Sequence, residues 1–319
     1  MRKPSDAIGA ARGKRAPALG KRLADLIGLA PRRARPPRAA VVGRRRVGSL
    51  LHERVVLFPG GSAPIPGLFI APLAGRRRPA VLFLHSHGHR YDLGKEEMLE
   101  KGTGAGALVS GLLDSGFGVF GIDSLCFGER RADEAATAKR FFWEGDSLFA
   151  RMVRDECAAL DYLHARPDVI PGRIGCAGFS MGGTKALWIA AVDTRVRAAA
   201  CVCALTTYRD LLDGDRFSRH EWYYFLPGAL AAADLDEVAS LIAPRPLFCL
   251  NAAGDDKAPI EGSRRAVRTI SDATGMVVAH STIVLRGVAA ARAATSSASV
   301  ETQVPGAGDA TTPAEAAAR

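Results

Sequence analysis

Three things are scarce in this sequence: long apolar runs anywhere, acidic residues in the first fifty positions, and aromatics after Phe248. Each scarcity excludes something. No uncharged apolar stretch approaches the ~20 residues that a membrane-spanning helix needs. The basic start of the chain holds only the short segment LADLIGLA, broken by Asp25, so it does not read as a secretory signal. The six cysteines include no spaced pair of zinc ligands: Cys157, Cys176, Cys201, Cys203 and Cys249 lie in apolar runs and Cys126 in a loop. That is the pattern of buried free thiols in a reducing compartment, here expected to be the cytoplasm.

The net charge of +10 is unevenly spread. Residues 1–50 carry fourteen Lys and Arg against Asp6 and Asp25, which leaves the other 269 residues net acidic by two. A nucleic-acid-binding fold places positive charge on a folded face, so the body of the chain is not expected to bind nucleic acid. The basic stretch alone could touch nucleic acid or anionic lipid. Residues 1–48, rich in Arg, Pro and Ala, are expected to be a flexible arm with a short helix near Lys21–Leu29. The absence of aromatics from Cys249 onward and twelve alanines within 286–319 predict a poorly ordered tail over 291–319.

Between these ends, residues 49–290 read as one domain. RVVLFPG and GLFIAPL predict an opening hairpin. Apolar strands then alternate with helices: PAVLFLHSHGH, a helix over KEEMLEKGTGAGALVSGLLDSG, FGVFGIDS, a helix with Phe149, Met152, Val153, Leu160 and Leu163 on one face, RIGCAGFS, MGGTKALWIAAV, RVRAAACVCAL and PRPLFCLNAAGD. Strands apolar on both faces, alternating with helices, predict a three-layer α/β fold: a mostly parallel sheet with helices on both faces. Ligands of such sheets bind at the carboxyl ends of the strands.

Gly178-Phe179-Ser180-Met181-Gly182 fits G-x-S-x-G between an apolar strand and an Ala-rich helix, the setting in which the serine sits on a strained turn as a nucleophile. The bland alternative is that Ser180 caps the helix. A nucleophilic serine needs a base, and backbone donors for the oxyanion. Met181 N–H is one candidate donor, and the N–H of Ser86 or His87, in the LHSHGH strand end, is the second. His85, His87 and His89 read as loop-shaping residues rather than metal ligands, with His85, Trp222 and Tyr223 as candidate pocket residues. Asp255, four residues before Pro259, is the preferred acid, with Asp256 the fallback and Asp210 third. Glu129 and Arg130 are expected to pair with each other, and Lys95 with Glu96 to form a solvated helix start.

The blocks PAVLFLHSHGHRYDLGKEE, GIDSLCFGER, ALDYLHARPDVIPGRIGCAGFSMGG, WYYFLPG and LIAPRPLFCLNAAGDDKAPIEG resemble, in this order, the α/β-hydrolase fold and its dienelactone hydrolase and acetyl xylan esterase-like branch. The resemblance spans about residues 50–268. It implies a Ser-His-Asp triad that cleaves carboxylic esters of small molecules by acyl transfer, with no cofactor and no metal. The family places its histidine after the last strand, beside glycine. Here His280 is the one histidine after Asp255, and it follows alanine in MVVAHSTIVL. If the strand stops at Ala279, His280 can face Ser180; if the strand continues, it cannot. His220 and His164 are the substitutes. The alternative reading is a catalytically impaired relative with a binding role. Thioesterase, lactonase and peptidase chemistry pass through the same tetrahedral intermediate.

Overall fold

The computed structural model describes residues 16–29, 36–60, 63–75, 77–275, 278–284 and 299–302. Its strands are β1 (Arg38–Val47), β2 (Leu50–Phe58), β3 (Ile65–Pro72), β4 (Arg78–Leu84), β5 (Gly118–Ile122), β6 (Val169–Phe179), β7 (Ala199–Val202), β8 (Leu247–Ala253), β9 (Ala279–Val284) and β10 (Ser299–Thr302). The helices are α1 (16–26), α2 (Gly104–Asp114), α3 (Glu134–Trp143), α4 (Leu148–Ala165), α5 (Met181–Val192), α6 (Tyr208–Asp213), α7 (Ala229–Ala232), α8 (Leu235–Ser240) and α9 (Ile260–Thr274). The strands form one sheet in the order β1-β2-β3-β5-β4-β6-β7-β8-β9-β10. Pairing is antiparallel from β1 to β5, parallel from β5 through β4, β6, β7 and β8 to β9, and antiparallel at β10.

The three layers follow from the two-residue period of the strands. Leu68 and Ile70 of β3 and Phe83 of β4 join one apolar cluster, which α2 covers with Ala105, Val109 and Leu113. Their neighbours Phe69, Ala71, Leu82 and Leu84 join the larger cluster of the opposite face, with Phe149, Met152 and Val153 of α4 and Leu187 and Trp188 of α5. Helix α5 lies buried over nearly its whole length, which is why its sequence has no polar face. The helix over α4 begins at Ser147, whose hydroxyl accepts from Ala150 N–H, and its apolar stripe is buried as the spacing predicts.

Two parts of the chain depart from expectation. The basic stretch is not a free arm throughout. α1 and the turn that follows it bury Leu23 and Ile27 completely in the large cluster, and β1 extends the sheet at its edge. Arginine-rich composition masks two local signals there, an apolar stripe at Leu19, Leu23, Leu26 and Ile27 and a stop at Gly28 (φ +60°). β1 is mostly exposed and contributes backbone pairing rather than core. Residues 1–15 and 30–35 lie outside the described residues, as does the tail apart from β10, which pairs with β9.

The second departure is the helix expected after β4, which divides into a 3₁₀ turn (Gly94–Leu99) and α2. Lys95 is drawn inward rather than solvated: its Nζ donates to Asp123 Oδ2 (2.7 Å) and Glu129 Oε1 (2.6 Å), and it is only 2% exposed. Helix α2 then restarts at Thr103, whose hydroxyl accepts from Gly106 N–H. The expected Glu129–Arg130 pair does not form; Arg130 instead binds Asp155 (2.7 Å). In each case a buried partner distant in sequence wins over the neighbour.

Candidate active site

The carboxyl ends of β4, β6, β7 and β8 share one edge of the sheet because these strands run parallel. At the end of β6, Ser180 has φ +52° and ψ −115°. A non-glycine residue held at positive φ is strained by an amount of order 1–3 kcal/mol, and such strain clusters at functional sites. The turn closes because Gly178 and Gly182 pack backbone to backbone; a Cβ on Gly178 would overlap Gly182, and one on Gly182 would overlap the Leu84 carbonyl of β4. Ser180 makes no side-chain capping hydrogen bond to α5, which removes the helix-cap explanation for it. Met181 is the first residue of α5, so its N–H has no partner within the helix.

Ser180 lines a cavity of about 460 Å³ together with His87, His89, His220, Tyr223 and Lys257. The loop after β4 forms one wall. Ser86 cannot supply the second oxyanion donor, because its N–H is given to Glu97 Oε2 (2.7 Å) and its hydroxyl to Glu97 Oε1. No described residue accepts the N–H of His87. The His87 ring is fully committed: Nδ1 accepts from His89 N–H (3.1 Å), so Nε2 carries the proton given to Glu134 Oε2 (2.7 Å). Glu134 also accepts from Tyr91 Oη and Tyr223 N–H. Burial works against its charge, but these bonds, led by His87, hold the carboxyl below its usual range.

Several candidate residues are placed differently from expectation. His85 is 1% exposed and does not line the cavity; its two ring nitrogens bond Ser86 O and Ser124 N–H, so it is not a substrate-pocket residue. Tyr223 lines the cavity, but Trp222 does not: it walls an adjoining cavity of about 610 Å³ with Arg131 and Asp133, with Lys139 Nζ 5.3 Å from its ring centre. Among the three acids, Asp256 pairs with Arg219 and Asp210 with Arg265. Asp255 forms no ion pair among the described residues. Its Oδ1 accepts from the N–H groups of Lys257 (2.9 Å) and Ala258 (3.2 Å), and burial raises its pKa.

The largest difference concerns His280. The strand does not stop at Ala279 but runs to Val284, and His280 pairs in register with Cys249. Cys249 pairs with Cys201 and Cys201 with Gly178, so three strand spacings, about 14 Å, separate the His280 and Gly178 backbones within the sheet. His220 is better placed. It lines the Ser180 cavity, stacks on Tyr224 at 3.9 Å, and donates Nε2–H to Lys257 O (2.9 Å), which leaves Nδ1 as the free acceptor. His164 does not line this cavity.

Sequence reasoning missed the buried charges that frame the site. Lys185 of α5 is wholly buried, with Nζ on Ser124 Oγ (2.6 Å) and Glu156 Oε1 (3.0 Å). A lone lysine in the otherwise apolar MGGTKALWIAAV was the available signal, since such a charge persists in a core only when paired. Glu97 and Glu134 left no comparable signal, because both stand among other polar residues.

A sequence model of the dienelactone hydrolase family matches residues 105–214, which include the Ser180 turn. The protein named "Putative hydrolase YtaP" from Bacillus subtilis (strain 168) is 37% identical over 217 residues, covering 66% of this chain and 72% of that one. This chain belongs to the dienelactone hydrolase family. Solved structures share its fold. The "putative acetyl xylan esterase" of Bacteroides fragilis NCTC 9343 superposes with a TM-score of 0.63 at 16% identity, over 83% of this chain and 74% of that one. The acetyl xylan esterase of Paenibacillus sp. R4 gives 0.59 at 17% identity, over 84% and 87%.

Proposed function

We propose that this protein is a serine hydrolase that cleaves carboxylic esters of small molecules by acyl transfer. The observation that carries the reading is the strained Ser180 turn: a positive-φ serine with no capping role, facing a cavity and followed by the free N–H of Met181. Ser180 Oγ attacks the ester carbonyl, and the N–H groups of Met181 and His87 receive the oxyanion. The names of the acetyl xylan esterases that share the fold support an ester as substrate. No step of this chemistry requires a cofactor.

The proton acceptor in this reading is His220 rather than His280. Burial pushes His220 down to about 4, so at neutral pH its imidazole is unprotonated and able to accept. Asp255 then acts at one remove. It pins the turn of residues 255–258, and the Lys257 carbonyl of that turn orients His220. The position of His280 inside β9 favours a second reading, a catalytically impaired relative that keeps the fold for binding. A fluorophosphonate probe with Ser180→Ala as control separates the two. Labelling and aryl ester turnover that depend on Ser180 support the enzyme; equal labelling of wild type and variant sinks it.

A further inference from the structure

In the loop after β4 the Ser86 N–H and hydroxyl and the His87 ring are held by buried partners, no described residue accepts the His87 N–H, and beside that N–H lies His85, which does not line the cavity. The Ser86 carbonyl and the His87 N–H belong to one peptide unit, which is planar and trans, so fixing the direction of one fixes the other. His85 Nδ1 lies 2.8 Å from Ser86 O. Ser124 N–H, a donor without alternative, points at His85 Nε2 from 3.1 Å. Nε2 must therefore be the acceptor and Nδ1 must carry the proton, which it gives to the Ser86 carbonyl. We propose that His85, locked as its Nδ1–H tautomer by Ser124, is a positioning residue that aims the His87 N–H at the oxyanion formed on Ser180. This rests on reading that N–H as an oxyanion donor.

The surroundings of His85 all favour this one state. Lys185, from α5, holds Ser124 through its hydroxyl and forms a fully buried pair with Glu156 of α4. The ring of Phe127 packs 5.0 Å from the imidazole. Burial, then the charge of Lys185, keep His85 well below 6.5; His87 and Lys95 act in the same direction and the Ser86 carbonyl opposes them. A protonated His85 would carry a hydrogen on Nε2 and collide with the Ser124 N–H. On the far side of Ser86, Glu97 fixes the N–H, so rotation of the neighbouring peptide is blocked as well. The helix bearing the nucleophile and the loop bearing the donor are thus joined through Lys185, Ser124 and His85.

The test uses the full chain and a short-chain aryl ester. His85→Leu removes the hydrogen bond and is expected to lower kcat by about 10²-fold or more, the scale for losing one oxyanion donor, with KM changed little. His85→Asn places an amide N–H near the position of Nδ1 and should recover most of the loss. An arylboronate, which mimics the tetrahedral state, should weaken in step with kcat/KM across the series. A kcat unchanged in His85→Leu, or a loss not recovered in a folded His85→Asn, overturns the proposal. Should His85→Leu fail to fold, long-range ¹H–¹⁵N NMR of wild type decides: a protonated Nδ1 that does not titrate between pH 5 and 8 is expected, and an Nε2–H tautomer or a midpoint near 6.5 overturns it. Absence of any Ser180-dependent turnover would instead defeat the esterase reading, while the NMR result still reports on His85.

Discussion

The two halves of the site are built to different standards. At the ends of β4 and β6, His85, Ser124, Lys185 and Glu156 form a buried hydrogen-bonded block behind the half-buried Ser180, and His87 is buried on Glu134. At the ends of β8 and β9, Asp255 is half-buried and turned to its own backbone, Asp256 is on the surface, and the expected histidine is inside a strand. The proposed nucleophile and oxyanion donors depend on neighbouring backbone, which the Gly178–Gly182 packing and the Glu97 hydrogen bonds hold in place. The candidate acid and base stand on loops at the other end of the sheet, where less of the surrounding backbone holds them.

The sharpest way to break this contrast is to remove the nucleophile. Ser180→Ala should reduce kcat by a factor on the order of 10⁶, the scale for losing a triad serine, with far-UV circular dichroism unchanged. The base comes next. His220→Ala should lower kcat about 10²- to 10⁴-fold, while His280→Ala should leave it nearly unaffected; the reverse pattern would restore the family arrangement. In wild type the rate should rise with pH through about 4 and stay level across neutrality, because the unprotonated imidazole is the active form. An inflection near 6.5 would indicate an unburied imidazole instead.

The tightly built half can be probed through stability. Lys185→Met strands Glu156 without its cation, and urea denaturation should show a loss of about 3–5 kcal/mol. A loss well under 1 kcal/mol would mean that the block is not cooperative. On the looser side, Asp255→Asn keeps an acceptor for Lys257 and Ala258 N–H. Its kcat should fall less than about tenfold, against the 10⁴ seen when a triad aspartate directly orients its histidine. The smallest effect is on pH-dependent stability. His85 is depressed in the folded state, so its contribution is full above about 6.5 and declines as pH falls toward its folded value, where the unfolded chain takes up the proton first. Subtracting the urea stability curve of His85→Asn from that of wild type should isolate this slope.

What was legible in the sequence follows the range of the interactions. The Ser180 turn and the apolar strands are short-range patterns, and they lie where the spacing predicts. The local pattern predicts Lys95 solvated and Glu129 paired with Arg130, yet each takes a partner at least 25 residues away. No local pattern encodes such pairings. His85 illustrates the same limit, since only the arrival of Ser124 from the end of β5 shows that its nitrogens are spent inside the protein.

The sequence by itself determined the layered α/β fold, the glycine-flanked serine and the strand ends that carry the candidate site, because period, small residues and turn chemistry act over a few positions. Tertiary structure alone decided which histidines line the Ser180 cavity, which acid stays free of arginine, and how far β9 extends. Those outcomes depend on register between strands distant in sequence and on which buried charges find partners, and both are fixed only when the sheet assembles.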